Sequence, residues 1–417
     1  MLTLILTAVL ALAAPQIPAY WAETVDSKAE RIALLQKDEA DGFYFWTDSH
    51  YPENNGMTPD LILSLIGKTS TRKVFHGGDL LANVDDLRSA LSPIEKDIRK
   101  IQEAAPLYVV RGNHDLTPDT HAEIPSALQQ EETASILRGI NSGGLSYDPA
   151  DGNGCYFFLD NAKAGIRYIA LDTSDSVRDG KNIYGISEDQ AEWLRATALG
   201  TLPEGWKAVV LSHVPLFYGQ YASFKPVREA LEGAGQGKVL IALSGHSHND
   251  IAATSGGVFQ VVGCGDTSNP KYTNLENRFG LPRPLKAMGT SGEQSFDYVS
   301  ISKDFSKITM VRVGAGSDRM FNLKERKIRR SAKVKTSLQG PVRWFIYDAP
   351  GSAIAKDGGR KAWVCGSTLA DISENGSVTW RDHWGSKTEQ GQSTPKNAVV
   401  LAVDKDGNQE YFLISSR

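Results

Sequence analysis

Short apolar runs alternate with amphipathic segments between Gly42 and Gly316. Eight of these runs are rich in β-branched and aromatic residues and predict strands: GFYFW, KVFH, LYVVR, CYFFLD, RYIALD, KAVVLSH, KVLIALS and VFQVVG. Several are apolar throughout, which is typical of strands that are buried on both faces of a sheet. Because helical patterns separate them, this segment is predicted to fold as an α/β layer protein.

Local patterns define two helices and two hairpins. In DDLRSALSPIEKDIRKIQEAA, apolar residues recur at steps of four and three, which predicts an amphipathic helix. Ser187 and Gln190 have the spacing of a capping box and predict the start of another helix. CYFFLD with RYIALD, and FDYVSIS with KITMVRV, are each separated by a short loop, which predicts hairpins. Hairpins among parallel strands predict mixed sheets.

Both ends of the chain depart from this pattern. The opening MLTLILTAVLALAAP is an apolar run of signal-peptide length that is too short to span a bilayer, so residues 1–22 are predicted to be a signal peptide for periplasmic or extracellular export. A buried N-terminal helix or strand is the alternative. Residues 319–335 are basic and predict a solvated linker, and the short strands beyond predict a small β-rich module at 336–417.

The composition excludes several classes of protein. The 417 residues are 41% hydrophobic and 23% charged, as in globular proteins, and the net charge of -4 gives no reason to expect nucleic-acid binding. No segment is predicted to span a membrane, and the sequence leaves the oligomeric state open. Cys155, Cys264 and Cys365 are widely spaced, which excludes a zinc knuckle. Free thiols are expected, with one disulfide as the alternative.

Five predicted strands end in residues of metal-ligand type. These residues are Asp48 and His50, Asp79, Asn113 with His114 and Asp115, His213, and finally His246 and His248. Loops beyond the carboxyl ends of strands in an α/β sheet converge on one crevice, so these side chains are expected to meet. Their carboxylates, amide and imidazoles exceed what one ion needs and suit two ions that share a carboxylate. The absence of thiolates favours Mn, Fe or Zn.

The motif order DxH, GD, GNHD, a histidine after a strand, and GHxH resembles the calcineurin-like metallophosphoesterase superfamily over residues 48–248. The resemblance implies a four-layer α/β/β/α sandwich with two mixed sheets, which we assign to residues 23–318. It implies that Asp79 bridges two ions. It also implies the remaining roles: Asp48, His50 and His248 for the first ion, Asn113, His213 and His246 for the second, His114 as the acid that protonates the leaving oxygen, and Asp115 as the residue that orients its imidazole.

The function implied is a dinuclear-metal phosphohydrolase that acts on a small phosphorylated substrate. Two metal ions lower the pKa of a bound water from about 16 toward 7, and the resulting hydroxide attacks phosphorus. Phosphomonoesterase and phosphodiesterase activity, including cleavage of cyclic nucleotides, both remain open. A nuclease and a non-catalytic scaffold are further alternatives. The purple acid phosphatase branch would have tyrosine where this chain has Ala82, so a purple Fe(III) enzyme is not expected.

Residues for substrate recognition are less clearly marked. Phe217, Tyr218 and Tyr221 follow His213, and their rings are candidates for stacking on a base or sugar, with a packed loop as the alternative. Tyr51, beside the DSH motif, and Arg319, in GAGSDR, are weaker candidates for substrate contact. His76 lies outside the motifs and is expected to be a buried hydrogen-bonding residue.

Overall fold

The computed structural model describes residues 15, 17–51, 57–71, 73–82, 87–116, 127–149, 155–175, 184–218, 221–235, 237–255, 257–263, 265–266, 285–327, 331–348, 370–380 and 397–415. Its α-helices over these ranges are α1 (Ala22–Leu35), α2 (Met57–Lys68), α3 (Leu87–Ala104), α4 (Ala127–Ile140), α5 (Glu188–Trp193) and α6 (Lys225–Ala234). Short 3-10 helices lie at Ala19–Trp21, Gln36–Asp38 and Ala222–Phe224, and a π-helical turn continues α5 over Leu194–Ala198.

The strands form two large sheets and one small one. In chain order they are β1 (Glu39–Trp46), β2 (Val74–His76), β3 (Leu107–Val109), β4 (Leu145–Tyr147), β5 (Phe157–Asn161), β6 (Ile166–Leu171), β7 (Lys207–Ser212), β8 (Val239–Ser244), β9 (Ile251–Ser255), β10 (Val258–Val262), β11 (Ser295–Ser302), β12 (Lys307–Gly314), β13 (Arg319–Lys327), β14 (Ser331–Lys333), β15 (Arg343–Asp348), β16 (Ala370–Ile372), β17 (Ser377–Trp380), β18 (Asn397–Val403) and β19 (Gln409–Ser415). The nine-stranded sheet has the order β15-β18-β19-β13-β12-β11-β1-β2-β3, the seven-stranded sheet β4-β5-β6-β7-β8-β10-β9, and the small sheet β14-β17-β16.

Both large sheets are mixed, as the hairpins predicted. β1, β2 and β3 are parallel, as are β6, β7, β8 and β10, while the predicted hairpins β5–β6 and β11–β12 are antiparallel. Ser187 caps α5 as predicted, because its side chain accepts a hydrogen bond from the Gln190 amide. The reciprocal bond of a capping box is replaced, since the Gln190 side chain contacts Asp172 and Asp175 and the Ser187 amide donates to Asp175. Parallel strands place several carboxyl ends at one edge of each sheet, which is where the candidate site lies.

The two large sheets pack face to face, and helices cover their outer faces. Phe43, Phe75, Tyr168 and Leu211 belong to the buried layer between the sheets. Helices α1 to α4 pack on the outer face of the nine-stranded sheet, and α5 and α6 pack on that of the seven-stranded sheet. This arrangement confirms the four-layer α/β/β/α sandwich with two mixed sheets.

The C-terminal part differs from the predicted linker and separate module. Residues 319–327 form β13, which pairs with β12 and β19 inside the nine-stranded sheet. Met320, Phe321 and Leu323 are buried there, and the high basic charge of the segment obscured these apolar positions. Strands β15, β18 and β19 extend the same sheet, so these described strands of the C-terminal part continue the main fold.

The N-terminal boundary also differs from the prediction. Trp21 is fully buried in the core, and its indole Nε1 donates to Glu293 Oε1 at 2.9 Å. A signal peptide that ended at residue 22 would remove this core residue. Residues 1–14 of the predicted signal peptide lie outside the described residues, as do Cys264 and Cys365, while Cys155 is buried. Across the described ranges, no helix has the length and apolarity needed to cross a membrane.

Candidate metal centre

The predicted metal ligands lie together where the edges of the two large sheets meet. β1, β2 and β3 of the nine-stranded sheet lead into the DSH, GD and GNHD segments, and β7 and β8 of the seven-stranded sheet lead into the remaining histidines. The side chains form three overlapping groups whose ligand atoms lie within 4.8 Å of one another: Asp48, His50 and His248; Asp79, His213 and His246; and His50, Asp79 and His114. The structure therefore brings together residues that span two hundred positions of sequence.

Five of these residues have a left-handed backbone. The φ angles are 54° at Asp48, 48° at His50, 52° at Asp79, 70° at His246 and 53° at His248. Residues other than glycine rarely adopt positive φ, at a cost of about 1–3 kcal/mol each, and such strain is concentrated at functional sites. Each turn directly follows a strand, so a short loop brings its side chains back toward the shared crevice.

Glycines in the motifs allow these loops to approach one another. A Cβ on Gly112 would lie 2.1 Å from the Asp79 amide nitrogen, and one on Gly245 would lie 2.4 Å from Asp48 Oδ2. Such distances are too short for any other residue. These glycines therefore allow the loops to approach the ligand residues closely.

Asp79 and Asn113 lie at the centre of the donor atoms. Asp79 Oδ2 is 3.0 Å from His213 Nε2 and 3.6 Å from His50 Nε2. Asn113 Oδ1 is 3.1 Å from His213 Nε2 and 2.9 Å from His246 Nδ1. The Asp79 carboxylate thus touches both halves of the site, as a bridging ligand must.

Asp48 joins the two ends of the site. Its Oδ1 is 3.3 Å from His248 Nε2, and the same oxygen accepts a hydrogen bond from the His246 amide at 2.9 Å. The aspartate on the nine-stranded sheet therefore contacts both histidines of the loop after β8.

Two buried polar atoms in the site have no hydrogen-bond partner among the described residues. They are His50 Nε2 and Asn113 Nδ2. A buried polar atom without a partner costs about 1–3 kcal/mol, so such atoms are rare unless something else satisfies them. A metal ion would satisfy the imidazole nitrogen, which faces Asp79. Carboxylate, amide and imidazole donors without thiolate fit first-row ions, and the three groups fit a dinuclear centre.

Opposite charges keep both aspartates ionised. Burial by itself would raise the pKa of both carboxylates. For Asp79, the neighbouring His213 outweighs burial and holds the pKa well below its usual range. For Asp48, His248 does the same. Burial works against protonated His213 too, yet the Asp79 carboxylate raises its pKa to about 9. Burial lowers the pKa of His246 to about 3, so that histidine is neutral, the form that binds metal.

Asp115 contacts the backbone of two loops. Its carboxylate accepts hydrogen bonds from the amides of Gly112 at 2.8 Å, Leu81 at 3.0 Å and Asp79 at 3.1 Å. No hydrogen bond joins it to the His114 imidazole among the described residues, so the predicted orienting contact is not what the structure shows. Asp115 instead holds the loops after β2 and β3 together.

His76 is buried and hydrogen-bonded, as the sequence predicted. Its Nδ1 accepts from the Gly78 amide at 3.2 Å, so the ring proton is on Nε2, which faces Ser49 Oγ at 3.0 Å. The Ser49 hydroxyl donates onward to the carbonyl of Leu80 at 3.0 Å. Burial lowers the pKa of His76 to about 3. A neutral histidine therefore joins the loops that carry Asp48 and Asp79.

Three predicted substrate contacts are buried away from the crevice. Tyr51 packs among the helices on the outer face of the nine-stranded sheet, and Phe217 packs between the two sheets. Arg319 is 1% exposed and pairs with buried aspartates. Proximity to a motif in sequence suggested these residues, but a neighbouring side chain can point to the opposite side of its loop.

Tyr218 and Tyr221 do lie beside the site, together with a tyrosine that the sequence analysis missed. Tyr184 has its ring centroid 5.3 Å from that of His246 and 5.3 Å from that of Tyr221. The Tyr218 ring lies 6.4 Å from the His246 ring. Tyr184 lies in the segment just before α5, well beyond the end of β6 at Leu171, so the position of residues after strands could not have identified it.

Comparison with known proteins agrees with the geometry. Residues 43–250 match the profile of the calcineurin-like phosphoesterases. Among solved structures, the chain is similar to a dimetal phosphatase from Danio rerio, with 15% identity, a TM-score of 0.48, and coverage of 69% of this chain and 100% of that one. It is also similar to the phosphopantetheinyl hydrolase of Mycobacterium tuberculosis, with 13% identity, a TM-score of 0.32, and coverage of 54% and 89%.

A third similar structure is the NAD nucleotidase of Haemophilus influenzae, with 15% identity, a TM-score of 0.37, and coverage of 68% of this chain and 50% of that one. No curated protein matches the sequence significantly.

Proposed function

We propose, on the premise that this chain belongs to the calcineurin-like phosphoesterase family, that it hydrolyses small phosphate esters at a centre of two first-row metal ions. The family makes the chain a metal-dependent phosphoester hydrolase. The ligand assignment, the roles of individual residues and the substrate class are our proposal. The observation that carries it is the set of overlapping donor groups, which share Asp79 and His50.

The ligands divide between the two ions according to these groups. Asp48, His50 and His248 would hold the first ion. Asn113, His213 and His246 would hold the second, because both ring nitrogens lie within 3.1 Å of Asn113 Oδ1. Asp79 would bridge the ions. Mn, Fe and Zn all fit these donors.

The residues of the chain position the substrate and supply a proton. When bound, the ions supply the positive charge that phosphoryl transfer requires and make water more acidic. His114 would protonate the leaving oxygen, which typically accelerates such a step a hundredfold or more. Its amide donates to Asp79 Oδ1 at 2.7 Å, and its ring lies 4.7 Å from the His50 ring. His114 therefore lies on the His50 side of the site, which supports this role.

The tyrosines support a substrate with a ring in its organic part. Tyr184, Tyr218 and Tyr221 are half-buried. The rings of Tyr184 and Tyr218 lie beside the His246 ring, and the Tyr221 ring contacts both of these tyrosines. A base, sugar or aryl group can pack on such rings. A phosphodiester is the second candidate substrate beside a phosphomonoester, because the motif order fits enzymes of both kinds.

A substrate panel on metal-reconstituted protein tests the proposal. Protein reloaded with Mn or Zn is assayed on p-nitrophenyl phosphate, bis-p-nitrophenyl phosphate, cyclic nucleotides and glycerophosphodiesters. We expect hydrolysis by the wild type, and loss of both bound metal and activity in Asp79→Asn. Asp26→Asn, at an exposed side chain of α1, is the matched control. Absence of any hydrolysis by metal-loaded wild type would contradict the proposal.

A second measurement isolates the proton donor. His114→Gln is expected to retain metal but to lose activity at least a hundredfold on an alkyl phosphate, whose leaving group needs a proton. The loss should be smaller on p-nitrophenyl phosphate, whose leaving group is a weak base. Equal losses on both substrates would contradict the assigned role.

A further inference from the structure

A buried group of four charged side chains lies behind the GHSHND loop. It consists of Arg312 on β12, Arg319 on β13, Asp297 on β11, and Asp250, two residues beyond His248. The side chains of the two arginines are 1% exposed, that of Asp297 is 2% and that of Asp250 is 12%. Two positive and two negative charges therefore neutralise one another out of contact with most solvent.

Arg312 donates two hydrogen bonds to the carboxylate of Asp250 and two to that of Asp297. Toward Asp250, Nη1 lies 2.8 Å from Oδ2 and Nη2 lies 2.6 Å from Oδ1. Toward Asp297, Nε lies 3.0 Å from Oδ1 and Nη2 lies 3.1 Å from Oδ2. A planar guanidinium with paired contacts fixes the orientation of a carboxylate as well as its distance, which a lysine ammonium cannot do.

The four charges connect the two sheets. Arg312 and Asp297 lie on adjacent strands of the nine-stranded sheet, while Asp250 directly precedes β9 of the seven-stranded sheet. Arg319 adds a second link, because its Nη1 donates to the carbonyl of Val262 in β10 at 3.0 Å. The metal ligands are divided between the same two sheets, so their relative positions depend on how the sheets are tied.

Gly316, the second glycine of GAGSDR, leaves room for the contact between Arg312 and Asp250. Gly316 has a φ of 114°, and a Cβ there would lie 2.2 Å from Arg312 Nη1 and 3.2 Å from Asp250 Oδ2. The GAGSDR segment, in which Arg319 was the predicted substrate contact, therefore packs against the four charged side chains.

We propose that Arg312 and Asp250 are positioning residues for the metal centre. They fix the end of the GHSHND loop so that His246 and His248, in the loop after β8 of the seven-stranded sheet, meet Asp48, in the loop after β1 of the nine-stranded sheet. Buried ion pairs often stabilise a fold no better than apolar residues of similar size, so a positional role explains this group better than stability alone. The inference rests on the proposed function for the identity of the ligands.

The test compares Arg312→Lys and Asp250→Asn with a matched control. Arg167→Lys alters another two-point pair, in which Arg167 Nε and Nη2 lie 2.7 and 2.8 Å from the Asp160 oxygens in the β5–β6 hairpin. Mn²⁺ affinity by calorimetry, thermal midpoint, kcat and KM are measured for each. Arg312→Lys and Asp250→Asn are expected to weaken Mn²⁺ binding about tenfold to a hundredfold and to lower kcat more than KM changes. The control should retain wild-type Mn²⁺ affinity even if its midpoint falls.

Gly316→Ala, which would displace the guanidinium, replaces Arg312→Lys if the latter does not fold. Wild-type Mn²⁺ affinity in the Arg312 or Gly316 variant overturns the inference, and so does an equal loss of affinity in the Arg167 control. A wild type that binds Mn²⁺ but cleaves no phosphate ester contradicts only the proposed function. A wild type that binds neither Mn²⁺ nor Zn²⁺ contradicts both.

Discussion

His246 and His248 lie one residue apart in the chain, yet they face different partners. His248 Nε2 is 3.3 Å from Asp48 Oδ1, whereas His246 Nδ1 is 2.9 Å from Asn113 Oδ1. Both have positive φ, so the loop turns sharply at each residue. Backbone conformation therefore assigns neighbouring side chains to different halves of the site.

We expect the two histidines to serve different ions. His248→Asn should remove the ion held with Asp48 and His50, and His246→Asn should remove the other, as measured by metal content after dialysis. Adding His50→Asn to His248→Asn should cause no further loss, while combining the two loop substitutions should empty the site. If either single substitution emptied both sites equally, the assignment could not be maintained.

Substitution of Gly112 tests how closely the GNHD loop must approach Asp79. In Gly112→Ala the new Cβ would lie 2.1 Å from the Asp79 amide and 2.2 Å from its Oδ1, so the bridging carboxylate must move. We expect at least a tenfold loss of metal affinity. Gly67→Ala in α2 is the control, because its Cβ would meet nothing within 4 Å, and it should stabilise the helix by up to about 1 kcal/mol. Undiminished metal affinity in Gly112→Ala would contradict the steric argument.

His76 gives the protein an acid-sensitive element. Burial lowers the pKa of His76 from 6.5 to about 3 in the folded state. The resulting stability is complete above pH 6.5 and is lost as the pH falls toward 3. Between pH 6.5 and 5, the free energy of unfolding should fall by about 2 kcal/mol more in the wild type than in His76→Gln. Urea unfolding of metal-free protein at the two pH values measures this, and identical pH dependence in both proteins would refute it.

At the scale of elements, the segment before α1 is part of the folded domain. Tyr20 and Trp21 both donate hydrogen bonds to Glu293 Oε1, at 2.8 and 2.9 Å, and Trp21 is fully buried. We propose that the protein is exported and that any cleavage of a leader occurs before Ile17.

Two shortened chains distinguish the possible boundaries. A chain that begins at Ile17 should fold with normal stability, whereas one that begins at Glu23 should lose about 3–5 kcal/mol, because it lacks Trp21. Thermal and urea unfolding provide the comparison. Equal stability of the two chains would show that the Trp21 contacts are dispensable.

At the scale of the whole molecule, the C-terminal strands share a core with the metallophosphoesterase strands. Leu401, Tyr411 and Leu413 belong to the same buried layer as Phe43 and Leu211. β13 continues the sheet in parallel pairing with β19. A chain that shares one core in this way should unfold as one cooperative unit.

Calorimetry should show a single transition for the described fold. Leu413→Ala, at a side chain 1% exposed, should lower the midpoint of that whole transition, because removing a buried leucine costs about 2–5 kcal/mol. Leu34→Ala, at a side chain 57% exposed, is the control and should change little. Two separate transitions, with Leu413→Ala shifting only one, would restore the independent module that the sequence predicted.

Sequence alone determined the strands that lead into the site, the mixed sheets and the set of candidate ligands. Apolar runs and the polar residues after them are local properties of the sequence. Because loops beyond the carboxyl ends of strands converge on one crevice, these polar residues are expected to form a common site. The order of motifs then indicated the family. These predictions agree with the structure because each depends on residue type and on neighbours close in the chain.

Tertiary structure alone decided what the remaining polar residues contact. Asp115 holds backbone amides instead of orienting His114, and Arg319 is buried beside aspartates instead of facing substrate. Tyr184 joins the site from the segment before α5. The direction of a side chain depends on φ at its own residue and on partners far away in sequence. The local sequence pattern specifies neither the φ angle nor the distant partners. The types of the site residues were therefore predictable, whereas many of their partners were not.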